Sequence, residues 1–146
     1  MKRALVTGGC GFIGSNLTKE LVKQGWQVDI VDNMSNGHLE LLDGLNFRVL
    51  PNATFLKPYN KQKSENRKKN CVLVIQDDFA SPLILNYIKE KNYNVIFHQA
   101  AVPRVSYSVE HPVETTDVNI LKTIQLFEAS VGSVRRVVFA SSSLLL

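Results

Sequence analysis

Arg3-Ala4-Leu5-Val6-Thr7-Gly8-Gly9-Cys10-Gly11-Phe12-Ile13-Gly14 decides the fold. Ala4-Leu5-Val6 has no polar alternation, which predicts a parallel strand buried on both faces. Gly8, Gly11 and Gly14 follow at spacing three, and Gly9, Gly11 and Gly14 also satisfy G-x-G-x-x-G. Such glycines serve a tight turn, close approach of backbone to phosphate, and close packing of helix on strand. Ile13, Leu17 and Leu21 recur every four residues and predict a helix with one apolar face. Gly25 reads as its terminator, with Trp26 folding back on the last turn. A second strand, Val28–Val31, ends at Asp32, eighteen residues after Gly14. That spacing suits the acid that takes the ribose hydroxyls of a dinucleotide, about 20 residues on from the fingerprint. A carboxylate there favours NAD over NADP, because it repels a 2′-phosphate. The plainer reading of the same turn is a flavodoxin-like α/β domain that binds nothing.

Working outward, the pattern keeps alternating. Phe47–Leu50 is a short strand. Cys71–Ile75 is a buried-type strand that leads into Gln76-Asp77-Asp78-Phe79. Pro82–Lys91 is a helix with Leu83, Ile84, Tyr87 and Ile88 inward. Asn94–Phe97 is the next strand and runs into His98-Gln99-Ala100-Ala101. Val113–Ser130 is one long helix with Val118, Leu121, Ile124, Leu126 and Phe127 inward, and Val134–Ala140 is the last strand. Alternating strands and helices predict an α/β fold of βαβ units, a doubly wound parallel sheet with helices on both faces. Ligands then bind beyond the carboxyl ends of the strands, where Thr7, Asp32, Asp78, His98 and Ala140 stand.

The chain has 146 residues, the length of one domain with a proper core. No apolar run exceeds strand length, so no membrane span is expected. Met1-Lys2-Arg3 leads straight into a strand, so no signal peptide is expected either. Cys10 and Cys71 have no metal-like spacing and read as free thiols of a cytoplasmic protein. The net charge of +4 is one local feature. Between residues 57 and 71, Lys57, Lys61, Lys63, Arg67, Lys68 and Lys69 stand against Glu65 alone. The remainder has 11 basic and 12 acidic residues. The run reads as a solvated insertion, with contact to an acidic partner or to phosphates as the alternative. No aromatic-interleaved platform supports nucleic-acid binding.

His38, His98 and His111 have no metal-ligand spacing, and no metal site is expected. They offer no nucleophile–base triad. His98 reads as a hydrogen-bonded strand-end residue, with an acid–base role as the alternative. Ser141-Ser142-Ser143 reads from the residues alone either as a polar strand end or as a site for chemistry.

Thr7-Gly8-Gly9-Cys10-Gly11-Phe12-Ile13-Gly14-Ser15-Asn16-Leu17 resembles the opening of the extended short-chain dehydrogenases/reductases, the NAD-dependent nucleotide-sugar epimerases and dehydratases with a Rossmann-type domain. Asp32-Asn33 and Asn36-Gly37 resemble that family's adenosine-ribose acid and following loop. Asp78-Phe79 is similar to its adenine-flanking pair, and His98-Gln99-Ala100-Ala101 to the H-x-A-A segment under the nicotinamide. Asn119 matches a helix Asn, and Val138-Phe139-Ala140-Ser141-Ser142 resembles the strand that ends in the catalytic Ser or Thr. The resemblance implies a cofactor set of Gly8, Gly11, Phe12, Ile13, Gly14, Asp32, Asn33, Asn36, Gly37, Asp78, Phe79, Gln99, Ala100, Ala101, Asn119 and Ala140. It implies Ser142 as the catalytic serine.

Val102-Pro103-Arg104-Val105-Ser106 with His111-Pro112 is most similar to the UDP-glucose and UDP-N-acetylglucosamine 4-epimerases. Arg104, Ser106 and Ser142 then face the sugar nucleotide. The implied chemistry is transient oxidation at C4 of a UDP-sugar, with a Tyr base and a Lys four residues later. Tyr59-to-Lys63 and Tyr87-to-Lys91 match that spacing but lie outside the family's position. The resemblance thus implies a fold cut after the fifth main strand, without the Tyr/Lys pair and the sugar-nucleotide domain. Family dimers pair two helices per subunit, and with Val113–Ser130 alone the homodimer is not expected. The alternatives are a 4,6-dehydratase or decarboxylase of the same family and a non-catalytic dinucleotide-binding remnant. Dehydratases add an acid beside the serine, and Ser143 is not one.

Overall fold

Ala4, Leu5 and Val6 lie fully buried at the middle of a six-stranded parallel sheet. A computed structural model describes residues 2–56 and 71–141. Its strands are β1 (Arg3–Thr7), β2 (Gln27–Asp32), β3 (Phe47–Leu50), β4 (Val72–Gln76), β5 (Val95–His98) and β6 (Arg136–Phe139). Their spatial order is β3-β4-β2-β1-β5-β6. The chain moves outward from β1 in one direction, returns, and moves outward in the other. The direction reverses between β1 and β5, and this is the crevice where doubly wound sheets bind ligands. The five main strands of the sequence reading are all present, and Phe47–Leu50 adds the edge strand β3.

The alternation along the strands feeds two cores. Leu5, Val31, Leu73 and Ile75 point to one face, and Ala4, Val6, Val28, Ile30, Val72 and Val74 to the other. The first face is covered by α2 (Pro82–Lys89) and α5 (Lys122–Ser130), through Ile84, Ile88, Leu126 and Ala129. The second is covered by α1 (Phe12–Lys23), through Leu21. Each such aliphatic side chain contributes roughly 1.5–3 kcal/mol by leaving water. Among the described residues no helix is long and apolar enough to cross a membrane.

α1 ends as its sequence requires. Gly25 has φ +80°, and its N–H bonds the Val22 carbonyl at 2.9 Å. Trp26 N–H reaches back to the Leu21 carbonyl at 3.0 Å. These two bonds form a Schellman motif, which favours glycine at the left-handed residue. The helix face differs from the expected one. Ile13 is 66 % exposed, while Gly14, Ser15, Thr18 and Leu21 are buried. Contact of Gly14 with the preceding turn rotates the helix, so Ile13 stands at the crevice mouth instead of in the core.

Two further expectations are corrected. Leu83 is exposed, because it sits in the first turn of α2, and Ile84, Tyr87 and Ile88 form the inward row. The expected helix Val113–Ser130 is present as one continuous run, but with a wide turn in its middle. Before it comes α3 (Val105–Glu110), which the sequence did not suggest, and its own first part is α4 (Pro112–Thr116). A π turn, Asp117–Leu121, then joins α4 to α5. The wider turn adds a residue and shifts the helical phase. Thr123, Leu126, Ala129 and Ser130 consequently face the sheet, while Leu121 and Ile124 are exposed and Phe127 stays partly so. Val118 keeps its inward contact.

Candidate cofactor site

The parallel registers align Thr7 with Val31 and His98, Asp32 with Gln76, and His98 with Phe139. The carboxyl ends of the strands therefore share one rim, and the expected site residues are strung along it.

The glycine turn sits at the end of β1. An ideal Cβ on Gly14 would lie 2.3 Å from the Gly8 carbonyl oxygen and 2.7 Å from the Gly9 Cα. Only glycine lets the helix press onto the turn this closely. Gly8 has φ +65°, and a Cβ there would lie 2.9 Å from the Ala100 backbone. It thereby brings the β1 turn against the β5 loop. The residue before α1 is Gly11, which has no side chain to cap the helix, and the first turn holds no acid. The first amides of the helix are thus left for an external acceptor, and the dipole favours an anion there. Phe12 and Ile13, both exposed, flank this point. The residues present fit a dinucleotide pyrophosphate.

Asp32 is fixed before any ligand arrives. Its Oδ2 accepts from the Cys10 amide and its Oδ1 from the Met34 amide, both at 2.9 Å. Gly37 packs against Cys10 and the same carboxylate. One acid thus ties the glycine turn to the β2 loop and keeps spare lone pairs for ribose hydroxyls. The Cys10 thiol is pushed up to about 12, by burial first and by the Asp32 charge second. Asn33 and Asn36 lie on the exposed part of this loop, and Asn33 Oδ1 accepts from the Ser35 amide at 3.0 Å.

A buried polar chain supports the next stretch. Thr7 Oγ1 accepts from the Gln99 and Ala100 amides at 3.1 and 3.2 Å. Its own proton then goes to His98 Nδ1, 2.6 Å away. Nδ1 is therefore the acceptor, and Nε2–H donates to Thr123 Oγ1 at 3.0 Å. This fixes one neutral tautomer. Burial lowers His98 to about 4, so the ring stays uncharged at neutral pH. Phe79 lies edge-on to it at 4.8 Å and Phe139 stacks on it at 5.6 Å. His98 is a structural hydrogen-bonding residue, the first of its two readings.

Asn119 holds a loop. Its Oδ1 accepts from the Val102 amide at 2.8 Å and its Nδ2 donates to the Val102 carbonyl at 3.1 Å. The amide thereby pins the exposed segment that carries Ala101, Arg104 and Ser106, with Arg104 at the N-cap of α3. Asp78 follows β4, its Oδ1 accepting from the Ala80 amide and its Oδ2 from Lys122 Nζ at 2.6 Å. Ala140 N–H bonds the His98 carbonyl at 3.1 Å and leaves its own residue exposed at the rim. Ser142, Tyr59, Lys61, Lys63 and the basic run from Lys57 to Lys69 lie outside the described residues. Tyr87 is buried in the core, facing Tyr93 at 5.7 Å, away from the rim.

Several contributors were not read from the sequence: the Cys10 amide, Thr123, Lys122 and the ion pair of Arg3 with buried Asp29 at 3.2 Å. Asp29 carried a usable signal. An acid inside the apolar strand Val28–Val31 requires partners, and Tyr93 supplies a second one at 3.0 Å.

Residues 4–145 match the sequence profile of the NAD dependent epimerase/dehydratase family. The chain belongs to this family. It is 33% identical over 141 residues to a UDP-glucose 4-epimerase of Mycolicibacterium smegmatis, covering 96% of this chain and 38% of that protein. It is 31% identical over 142 residues to a UDP-N-acetyl-alpha-D-glucosaminuronate decarboxylase of Bacillus cytotoxicus, covering 97% and 37%. Among solved structures it superposes with TM-score 0.71 and 28% identity on the UDP-glucose-4-epimerase of Stenotrophomonas maltophila, which holds NAD and formylated UDP-arabinopyranose. That match covers 98% of this chain and 38% of the other. The chain thus spans a little over a third of the length of the relatives it matches.

Proposed function

We propose that this chain is the NAD-holding portion of a cytoplasmic nucleotide-sugar 4-epimerase. The observation that carries the reading is the Asp32 carboxylate, held by the Cys10 and Met34 amides beside the uncapped start of α1. Together they offer amides to a pyrophosphate and acceptors to a ribose, in the crevice of a doubly wound sheet.

When bound, the nicotinamide would supply a reversible hydride acceptor for C4 of a UDP-sugar. The chain's own residues bind and orient. The α1 amides hold the pyrophosphate, and Asp32, Asn33, Asn36 and Gly37 border the adenosine ribose. Asp78 and Phe79 border the base. Thr7 sets the Gln99-Ala100-Ala101 backbone beneath the nicotinamide half, and Asn119 keeps the next loop in place. Arg104 and Ser106 are proposed to meet the sugar nucleotide, and Ser142 to hydrogen-bond the reacting sugar oxygen.

Calorimetric titration of the chain with NAD and with NADP tests this reading. Micromolar NAD binding that is lost in Asp32→Ala, and weaker NADP binding by the unmodified chain, are expected. Equal affinity for the two nucleotides would remove Asp32 from its role. A second reading, a decarboxylase or 4,6-dehydratase, is favoured by the likeness to the Bacillus cytotoxicus decarboxylase. It predicts that a UDP-hexuronate binds the NAD-loaded protein more tightly than a neutral UDP-hexose.

A further inference from the structure

Lys122 is the first residue of α5, immediately after the π turn, yet its ammonium reaches the end of β4. Nζ lies 2.6 Å from Asp78 Oδ2 and 3.4 Å from Asp117 Oδ2. The other Asp78 oxygen accepts from the Ala80 amide at 2.8 Å. Both oxygens of a half-exposed carboxylate are therefore held, and its plane is set. Each oxygen still has a lone pair to offer, since an ionised carboxyl has about four acceptor directions. The Lys122 ammonium is held above its ordinary range, chiefly by the hydrogen bond to Asp78.

The sheet order places this carboxylate beside Asp32 along the rim. Asp32 ends β2, and β4 is the next strand outward from the glycine turn. With a pyrophosphate at α1 and a ribose at Asp32, a base continuing outward along the rim would reach the end of β4. We infer that Lys122 is a positioning residue that fixes the Asp78 carboxylate to read the 6-amino group of the adenine, through the Lys122–Asp78 contact. The inference rests on the proposed NAD site. Without the ammonium, Asp78 keeps only the Ala80 amide as an anchor, and its second oxygen is no longer fixed toward the base.

The π turn gives this arrangement its geometry. Asn119 lies within it and Lys122 directly follows it. The two residues grip the two loops that bound the cleft, at Val102 and at Asp78. Wide turns of this kind are frequent at functional sites.

The test compares NAD with nicotinamide hypoxanthine dinucleotide, which carries oxygen in place of the 6-amino group. The chain should bind NAD about tenfold more tightly, the usual worth of a hydrogen bond to a charged group. Lys122→Met, which keeps the aliphatic stem, should weaken NAD and bring the ratio of the two affinities near one. Lys122→Arg should restore the ratio. Thermal unfolding of each variant reports fold loss separately. A ratio unchanged in Lys122→Met, with both affinities falling together, would make Lys122 merely structural and overturn the inference. So would an unmodified chain that binds both nucleotides equally. If the unmodified chain binds neither, the NAD reading itself falls and takes this inference with it.

Discussion

The Thr7 hydroxyl and the His98 imidazole meet at 2.6 Å, although 91 residues separate them in sequence. This contact joins the ends of β1 and β5 at the point where the sheet reverses its order. It also assigns the histidine tautomer, because Thr7 already accepts from two amides.

His98 makes stability depend on pH. Its folded-state value is lowered to about 4 from an ordinary 6.5, so the unfolded chain binds the extra proton between those limits. The stabilisation is complete above pH 6.5 and is lost as pH falls toward 4, up to roughly 3 kcal/mol in all. Urea unfolding at pH 7, 6, 5 and 4.5 should show the decline. In His98→Asn, which cannot titrate, the part of the slope belonging to this group should vanish.

The glycines should separate by what surrounds them. Gly14→Ala places a methyl against backbone at 2.3 Å and should cost about 3 kcal/mol or more, since neither the Gly8 carbonyl nor the Gly9 Cα can retreat without moving the turn. Gly25→Ala meets no atom within 4 Å and carries only the left-handed backbone penalty, roughly 1–2 kcal/mol. Thermal unfolding gives the ranking. A larger loss at Gly25 than at Gly14 would contradict the packing described.

Cys10 should resist thiol reagents. Burial and the Asp32 charge hold its thiolate far below the population of an ordinary thiol at pH 8, and the side chain has no exposed surface. Iodoacetamide should label half-exposed Cys71 at least about a hundredfold faster than Cys10, read by mass spectrometry. Comparable rates would mean that the glycine turn opens readily.

Asn119→Leu keeps the branched shape and removes both hydrogen bonds to Val102. The partly buried amide and carbonyl of that residue then lack partners, at a cost of about 1–3 kcal/mol. NAD affinity should fall, while ADP-ribose, which has no nicotinamide, should bind nearly as before. Equal loss for both ligands would place Asn119 outside the nicotinamide half.

Local pattern determined the first βαβ unit. The apolar run of β1, the glycine spacing, the terminator at Gly25 and the acid at Asp32 act on near neighbours in the chain, so their reading needs no knowledge of the whole. The alternation of strands and helices was legible for the same reason. The long-range partners were decided by tertiary structure. Nothing in the sequence pairs Lys122 with Asp78 across 44 residues, or His98 with Thr7 and Thr123. Periodicity also predicted one helix from Val113 to Ser130, because apolar spacing is blind to an inserted residue. With the π turn that holds Asn119 and precedes Lys122, Leu126 enters the core as expected, while Leu121 and Ile124 turn outward. Side-chain identity and spacing named the rim residues. Their partners follow from where the folded sheet brings distant loops together.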